Sequence, residues 1–325
     1  MATANQIKAL IKSHIEHDDE HFLAVALQMA AHSARRGHGN AATEIRALVD
    51  EGRRRSKKRS TRPLAIPTPK GELSGLLAVS VPQTRLSEMV LDDPIREQLD
   101  RLLREHRAAD KLRAHGLQPA RKLLLVGPPG TGKTMTAAAL AGELRLPLYV
   151  IIFDRLITRF MGETAAKLRL VFDALAENRG VYLFDEFDAI GAERAAGNDV
   201  GEIRRVLNSF LQFLEQDSSQ SLIIAATNHP QSLDSALFRR FDQVVEYTIP
   251  TAALAEEVMR NRLSLFKTDS LDWSAAWTNA EGLSYAEIVA ACDVAAKDAV
   301  LSDTTVITTE RLATALRERR RSRRA

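Results

Sequence analysis

The feature that most limits what this chain can fold into is eight residues long. Gly127-Pro-Pro-Gly-Thr-Gly-Lys-Thr134 stands between an apolar run at 122–126 and a helix-prone run at 135–144. Glycines at such a junction let successive backbone N–H groups curl into a cradle for an anion. The helix that follows turns the positive end of its dipole toward the same place. A lysine and a hydroxyl at the last two positions suit phosphate oxygens and a hard cation: Lys133 reaches the β- and γ-phosphates, and Thr134 offers its hydroxyl to Mg2+. Such a loop needs a buried strand before it and a helix after it, which places the chain among the α/β folds.

The surrounding pattern agrees. Short apolar runs at 122–126, 148–152, 181–184, 222–226 and 244–249 alternate with helical periodicity. Continuous Val, Ile and Leu runs are what strands buried on both faces look like, and alternation with helices predicts a parallel sheet covered on both sides. After Pro250 the strand signals stop, and helical patterns around 252–266, 285–301 and 310–319 predict a small all-helical domain. Ahead of the sheet, apolar residues recur at helical spacing through Ile7, Leu10, Ile11, Phe22, Val25, Leu27, Met29, Ile45, Leu48 and Val49. They predict a three-helix bundle, and because about fifty residues make a marginal core, one that packs on a partner or substrate. The predicted divisions are a bundle at 1–55, a basic, proline-containing linker at 56–72, the nucleotide-binding α/β domain at 73–250, and the helical domain with its basic tail at 251–325.

Charge is unevenly spread. Residues 53–62 carry seven basic and no acidic side chains, and 317–324 carry six arginines and one glutamate, whereas the remainder has 32 basic against 41 acidic residues. Such runs attract nucleic acid or acidic partners, or serve as solvated segments. The single cysteine, Cys292, excludes an internal disulfide and reads as core packing. Histidines 14, 17, 21, 32 and 38 are irregularly spaced and read as solvated helix faces rather than metal ligands. No apolar run reaches the roughly 18–20 residues of a membrane span, and the start lacks a signal-peptide core; a cytoplasmic protein without membrane contact is the expectation.

A second chemical cluster follows the phosphate loop by about fifty residues. In Val181-Tyr-Leu-Phe-Asp185-Glu186 two carboxylates end a buried strand. Asp185 is placed to hold Mg2+, and Glu186 to align and polarise a water for attack on the γ-phosphate.

With GPPGTGKT, then YLFDEFDAIGAER, then IIAATNHPQSLDSALFRRFD, the chain resembles the AAA family of ATPases over roughly 86–317. The resemblance implies a parallel five-stranded nucleotide domain with helices on both faces, followed by a helical lid and assembled as a hexamer that uses ATP and Mg2+. It implies that Pro128, Pro129, Gly130, Thr131, Gly132, Lys133, Thr134 and Met135 surround the nucleotide, with Asp185, and with Ala286 from the lid motif Gly282-Leu-Ser-Tyr-Ala-Glu287. Tyr285 stands where the family usually has glycine. Asn228 matches a polar sensor that holds the attacking water. Arg239 and Arg240 match a pair of fingers that enter the neighbouring subunit's site, although they are adjacent here rather than spaced as Arg-Pro-Gly-Arg, and Arg240 is the favoured finger. Phe160, Met161 and Gly162 resemble a loop that lines a central pore and grips a polypeptide.

Two functions compete on these residues. One is an unfoldase or remodeller of proteins. Because neither H-E-x-x-H nor G-x-S-x-G occurs, proteolysis would need a partner, and the chain is similar to bacterial AAA proteins paired with subtilisin-like serine proteases in phage defence. The other is a nucleic-acid motor or sensor that uses the basic linker and tail. The apolar Phe160-Met161 pair and the acidic body weigh against it.

Overall fold

In the computed structural model, which describes residues 71–156, 161–188, 200–233 and 235–322, the apolar runs form a six-stranded sheet. Its strands are β1 (Leu77–Ser80), β2 (Lys122–Val126), β3 (Leu148–Ile151), β4 (Val181–Phe184), β5 (Leu222–Thr227) and β6 (Gln243–Glu246), in the order β1-β3-β4-β5-β2-β6. Strands β3, β4, β5, β2 and β6 pair in parallel, and β1 runs antiparallel against β3. The count of five therefore becomes six and the sheet is mixed. β1 escapes a sequence reading because it is an edge strand of four residues, Leu-Ala-Val-Ser, with only Leu77 fully buried. The bundle expected at 1–55 with its histidines, all but the end of the 56–72 linker, and Phe160 lie outside the described residues.

Alternate side chains of the strands feed two cores. On one face Leu124, Tyr182, Phe184, Ile223 and Ala225 meet Leu168, Val171 and Phe172 of α3 (Met161–Glu177) and Phe210 and Leu214 of α4 (Val200–Gln216). Aromatic rings concentrate there, with Phe184 and Phe210 edge-on at 5.0 Å between centroids, the geometry ring quadrupoles favour. On the other face Leu123, Leu125, Leu183 and Ile224 meet Leu99 and Leu102 of α1 (Asp93–Arg107) and Ala137 and Leu140 of α2 (Lys133–Leu144). Burial on both faces explains why these strands carry unbroken apolar runs.

Four helices follow the sheet: α5 (Ala252–Arg262), α6 (Trp273–Ala280), α7 (Tyr285–Leu301) and α8 (Thr309–Ser322). Their core is rich in alanine, with Ala255, Ala276, Ala280, Ala291, Ala295 and Ala299 packed against Met259, Leu263, Ile288, Leu312 and Leu316. Small side chains let the helix backbones approach closely. Helix α6, only eight residues, has no counterpart in the sequence reading; Asp272 starts it by accepting the N–H groups of Ser274 at 3.0 Å and Ala275 at 3.1 Å. Cys292 is fully buried in this core, and burial pushes its thiol pKa up to about 12. Among the described residues no helix is long and apolar enough to cross a membrane.

Candidate active site at the strand ends

The parallel strands β2, β4 and β5 end on one edge, and each hands its chemistry to the loop that follows. After β2 the chain enters the glycine loop with Gly127 at φ 144°, Gly130 at φ 75° and Gly132 at φ 102°. These values exclude ordinary side chains at two of the positions for added steric reasons. A Cβ on Gly127 would lie 2.3 Å from the Tyr247 carbonyl oxygen, and one on Gly130 would lie 2.6 Å from Ser284 Oγ. Tyr247, beneath the loop, shares a 2.6 Å hydrogen bond with Thr136 Oγ1, and burial raises its phenol pKa to about 12.

Gly132 is the left-handed residue that starts α2, so Lys133 and Thr134 open a helix whose N-terminus faces the loop. Lys133 is buried to 6% exposure, and its Nζ donates to the carbonyls of Gly127 and Pro128, each at 2.8 Å. Burial lowers its pKa, while Asp185 and Asp188 act in the opposite direction. Pro128 and Pro129 shape the turn, Thr131 Oγ1 donates to the Pro128 carbonyl at 2.8 Å, and Met135 is exposed.

Asp185 directly follows β4 and is half-buried. Its Oδ2 accepts the Thr134 hydroxyl at 2.6 Å, and its Oδ1 accepts the Glu186 N–H at 3.0 Å. The two candidate metal ligands, separated by 51 residues in sequence, are thus in direct contact. Both offer hard oxygens of the kind that bind Mg2+ beside phosphates. Glu186 is exposed and holds φ at +52°, a left-handed value that costs a non-glycine residue on the order of 1 kcal/mol or more. The buried Phe187 ring and the Phe187 N–H, which donates to the Ala226 carbonyl at 2.8 Å, hold it there.

β5 ends in Thr227, and Asn228 follows, half-buried, its N–H donating to Asp188 Oδ1 at 3.1 Å. From the helical region, the Ala286 N–H donates to the Gly130 carbonyl at 3.0 Å. The start of α7 thereby touches the phosphate loop, fixed by a capping box between Ser284 and Glu287. Burial raises the pKa of the neighbouring Tyr285 to about 12.

Two sequence candidates stay apart from this cluster. Arg239 is exposed, and Arg240 pairs with Glu215 near the end of α4. Among the described residues no hydrogen bond or ion pair joins either arginine to Lys133, Asp185, Glu186 or Asn228. Met161 and Gly162 open α3 rather than extending a loop. Asp188, Tyr247 and Ser284 were not singled out from the sequence; Asp188, inside Asp-Glu-Phe-Asp, and Ser284, which with Glu287 forms a Ser-x-x-Glu capping pattern, carried signals that could have found them, and Tyr247 carried none.

Comparison with known proteins agrees with this geometry. An uncharacterized AAA family ATPase, y4kL, from Sinorhizobium fredii is 35% identical over 305 residues, covering 93% of this chain and 90% of that protein. The chain belongs to the AAA ATPase family. The family model for ATPases associated with various cellular activities matches residues 123–249, from β2 to just past β6. The ATP-dependent zinc metalloprotease FtsH 2 of Bdellovibrio bacteriovorus is 33% identical over 218 residues, 62% of this chain and 35% of that protein, so this AAA chain spans about a third of the FtsH relative. The crystal structure of the FIGL-1 AAA domain superposes with a TM-score of 0.61 at 21% identity, covering 79% of this chain and 91% of that one, which shows the shared fold. As a member of the AAA family the chain is an ATPase that uses ATP with Mg2+.

Proposed function

We propose that this AAA ATPase assembles into a ring, a hexamer, and hydrolyses ATP between neighbouring subunits to remodel or unfold a protein. The observation that carries the reading is the convergence on one sheet edge of Lys133, the Thr134–Asp185 contact and Glu186. The loop amides, Lys133 and the start of α2 would hold the phosphates. Thr134 and Asp185 would hold Mg2+, which supplies charge neutralisation on the phosphate oxygens. Glu186 accepts the proton of the attacking water, and Asn228 orients that water. Charge develops on the transferring phosphoryl group, and a second cation beside Lys133 would stabilise it. Arg239 and Arg240, which make no polar contact with their own cluster among the described residues, are the residues to supply that cation to a neighbour; such fingers are worth ~10³ to 10⁵ in rate.

Remodelling of a polypeptide is supported by the FtsH relatives, named as ATP-dependent proteases, and by the Phe160-Met161-Gly162 sequence. A partner serine protease in phage defence, docked through residues 1–55, is the specific role proposed, with the cytoplasm as its place. A second reading, a nucleic-acid-dependent motor or sensor that uses the basic linker and tail, is favoured by one observation. Arg317, Arg319, Arg320 and Arg321 at the end of α8 are exposed, with no ion pair among the described residues, as a phosphate-backbone contact requires. Steady-state hydrolysis as a function of protein concentration separates shared from self-contained sites. Specific activity should rise with concentration, fall on adding Glu186→Gln to wild type, and be lost in the Arg239→Ala, Arg240→Ala double variant. Concentration-independent activity in that double variant would refute the shared site.

A further inference from the structure

Asp185, Glu186 and Asn228 carry the recognised motif positions, yet the residue that ties these strand ends together is Asp188. Its Oδ1 accepts two donors from the end of β5: the Thr227 hydroxyl at 3.0 Å and the Asn228 N–H at 3.1 Å. Thr227 is fully buried, and its Oγ1 also accepts the His229 N–H at 3.0 Å. Thr227 and Asn228 therefore hang directly, and His229 through the Thr227 hydroxyl, on one carboxylate oxygen supplied by the turn after β4. A backbone bond one residue earlier, from the Phe187 N–H to the Ala226 carbonyl, completes a two-point clamp between the turns.

We propose that Asp188 is a positioning residue for hydrolysis, setting Asn228 in register with Glu186 so that both address the same water. The proposal rests on the reading of the site given above and adds the part that fixes its geometry. Glu186 sits in a strained left-handed conformation, so its direction depends on the residues that follow it. Asn228 is the first residue beyond its strand, where the sheet ladder no longer holds the chain. One clamp thus fixes two elements that the fold alone leaves adjustable. An oxygen acceptor at this reach is what the clamp needs. Asparagine keeps a carbonyl oxygen in the same position, alanine removes it, and glutamate carries it one methylene too far.

The test compares Asp188→Ala, Asp188→Asn and Thr227→Val in the full chain, measuring kcat and KM for ATP, binding of a slowly hydrolysed ATP analogue, and thermal midpoint. Misplaced reacting groups cost on the order of tenfold to a hundredfold. Asp188→Ala should lose about that much kcat while analogue affinity stays within about twofold, since the phosphate loop is untouched. Asp188→Asn should recover most of the loss, and Thr227→Val, which removes one of the two bonds, should fall between. Three results would each overturn the proposal: unchanged kcat in Asp188→Ala, kcat and affinity falling together with the thermal midpoint, or Asp188→Asn no better than Asp188→Ala. Wild type and Glu186→Gln run alongside keep the two ideas separable. If Glu186→Gln is inactive and Asp188→Ala is not, the site stands and the clamp falls.

Discussion

The sheet edge and the helical lid of this ATPase are built on opposite terms. At the edge, short polar contacts converge from β2, β4 and β5, one residue is held at a left-handed φ, and almost every side chain has a chemical task. In the lid, side chains are small or aliphatic, the core is filled by alanines, and the helices are closed by caps at Thr251, Asp272 and Ser284. The edge depends on the placement of polar groups, whereas the lid depends on the volume its side chains fill. Substitution at the edge should therefore change activity ahead of stability, and substitution in the lid should do the reverse, except where α7 touches Gly130.

The largest effect that would sharpen this contrast belongs to the lid. Leu316→Ala empties a fully buried position on α8 and should cost about 2–5 kcal/mol in denaturant unfolding, with little change in kcat for the molecules that remain folded. Equal loss of kcat and stability would break the contrast. Next comes Lys133→Ala, which removes a charged donor from the phosphate loop. Hydrogen bonds to charged groups are worth about 1.5–3 kcal/mol, so ATP affinity should weaken roughly ten- to hundredfold in a binding titration while the thermal midpoint moves little.

Smaller is Ser284→Ala, which opens the capping box at the start of α7 and should cost about 0.5–2 kcal/mol. Because α7 meets Gly130 through Ala286, this lid variant should also weaken ATP binding, and a purely structural loss would show that the two regions are independent. The least effect is a pH slope. Cys292 ionises near 9.0 when unfolded and near 12 when folded, so the folded state keeps its proton longer. Its contribution is complete below pH 9 and is lost between pH 9 and 12, at up to about 1.4 kcal/mol per unit in that window. Cys292→Ala should flatten the alkaline decline in stability; an unchanged decline would show that the buried tyrosines account for it.

How much of this was legible in the sequence follows from the same contrast. Gly127 to Thr134 and the Asp185-Glu186 pair could be read directly, because those reactions accept few residue types and the strand-loop-helix order is local. β1 could not, since a half-exposed edge strand of four residues has no pattern of its own. Helix α6 was hidden by its eight-residue length. The bonds of Asp188 to Thr227 and Asn228 span 39 and 40 residues, and that of Ala286 to Gly130 joins the lid to the loop, so both exist only once the chain is folded. The left-handed Glu186 was invisible for another reason: glutamate does not announce a positive φ as glycine does, and the surrounding contacts impose it.

The most direct test of the account is ATP turnover and ATP binding measured on the same preparations of wild type and Glu186→Gln. The account predicts Mg2+-dependent turnover by the wild type and a fall of ~10² to 10⁴ in kcat for Glu186→Gln, with ATP affinity retained. Turnover by Glu186→Gln at the wild-type rate would contradict it, because the water would then be activated elsewhere.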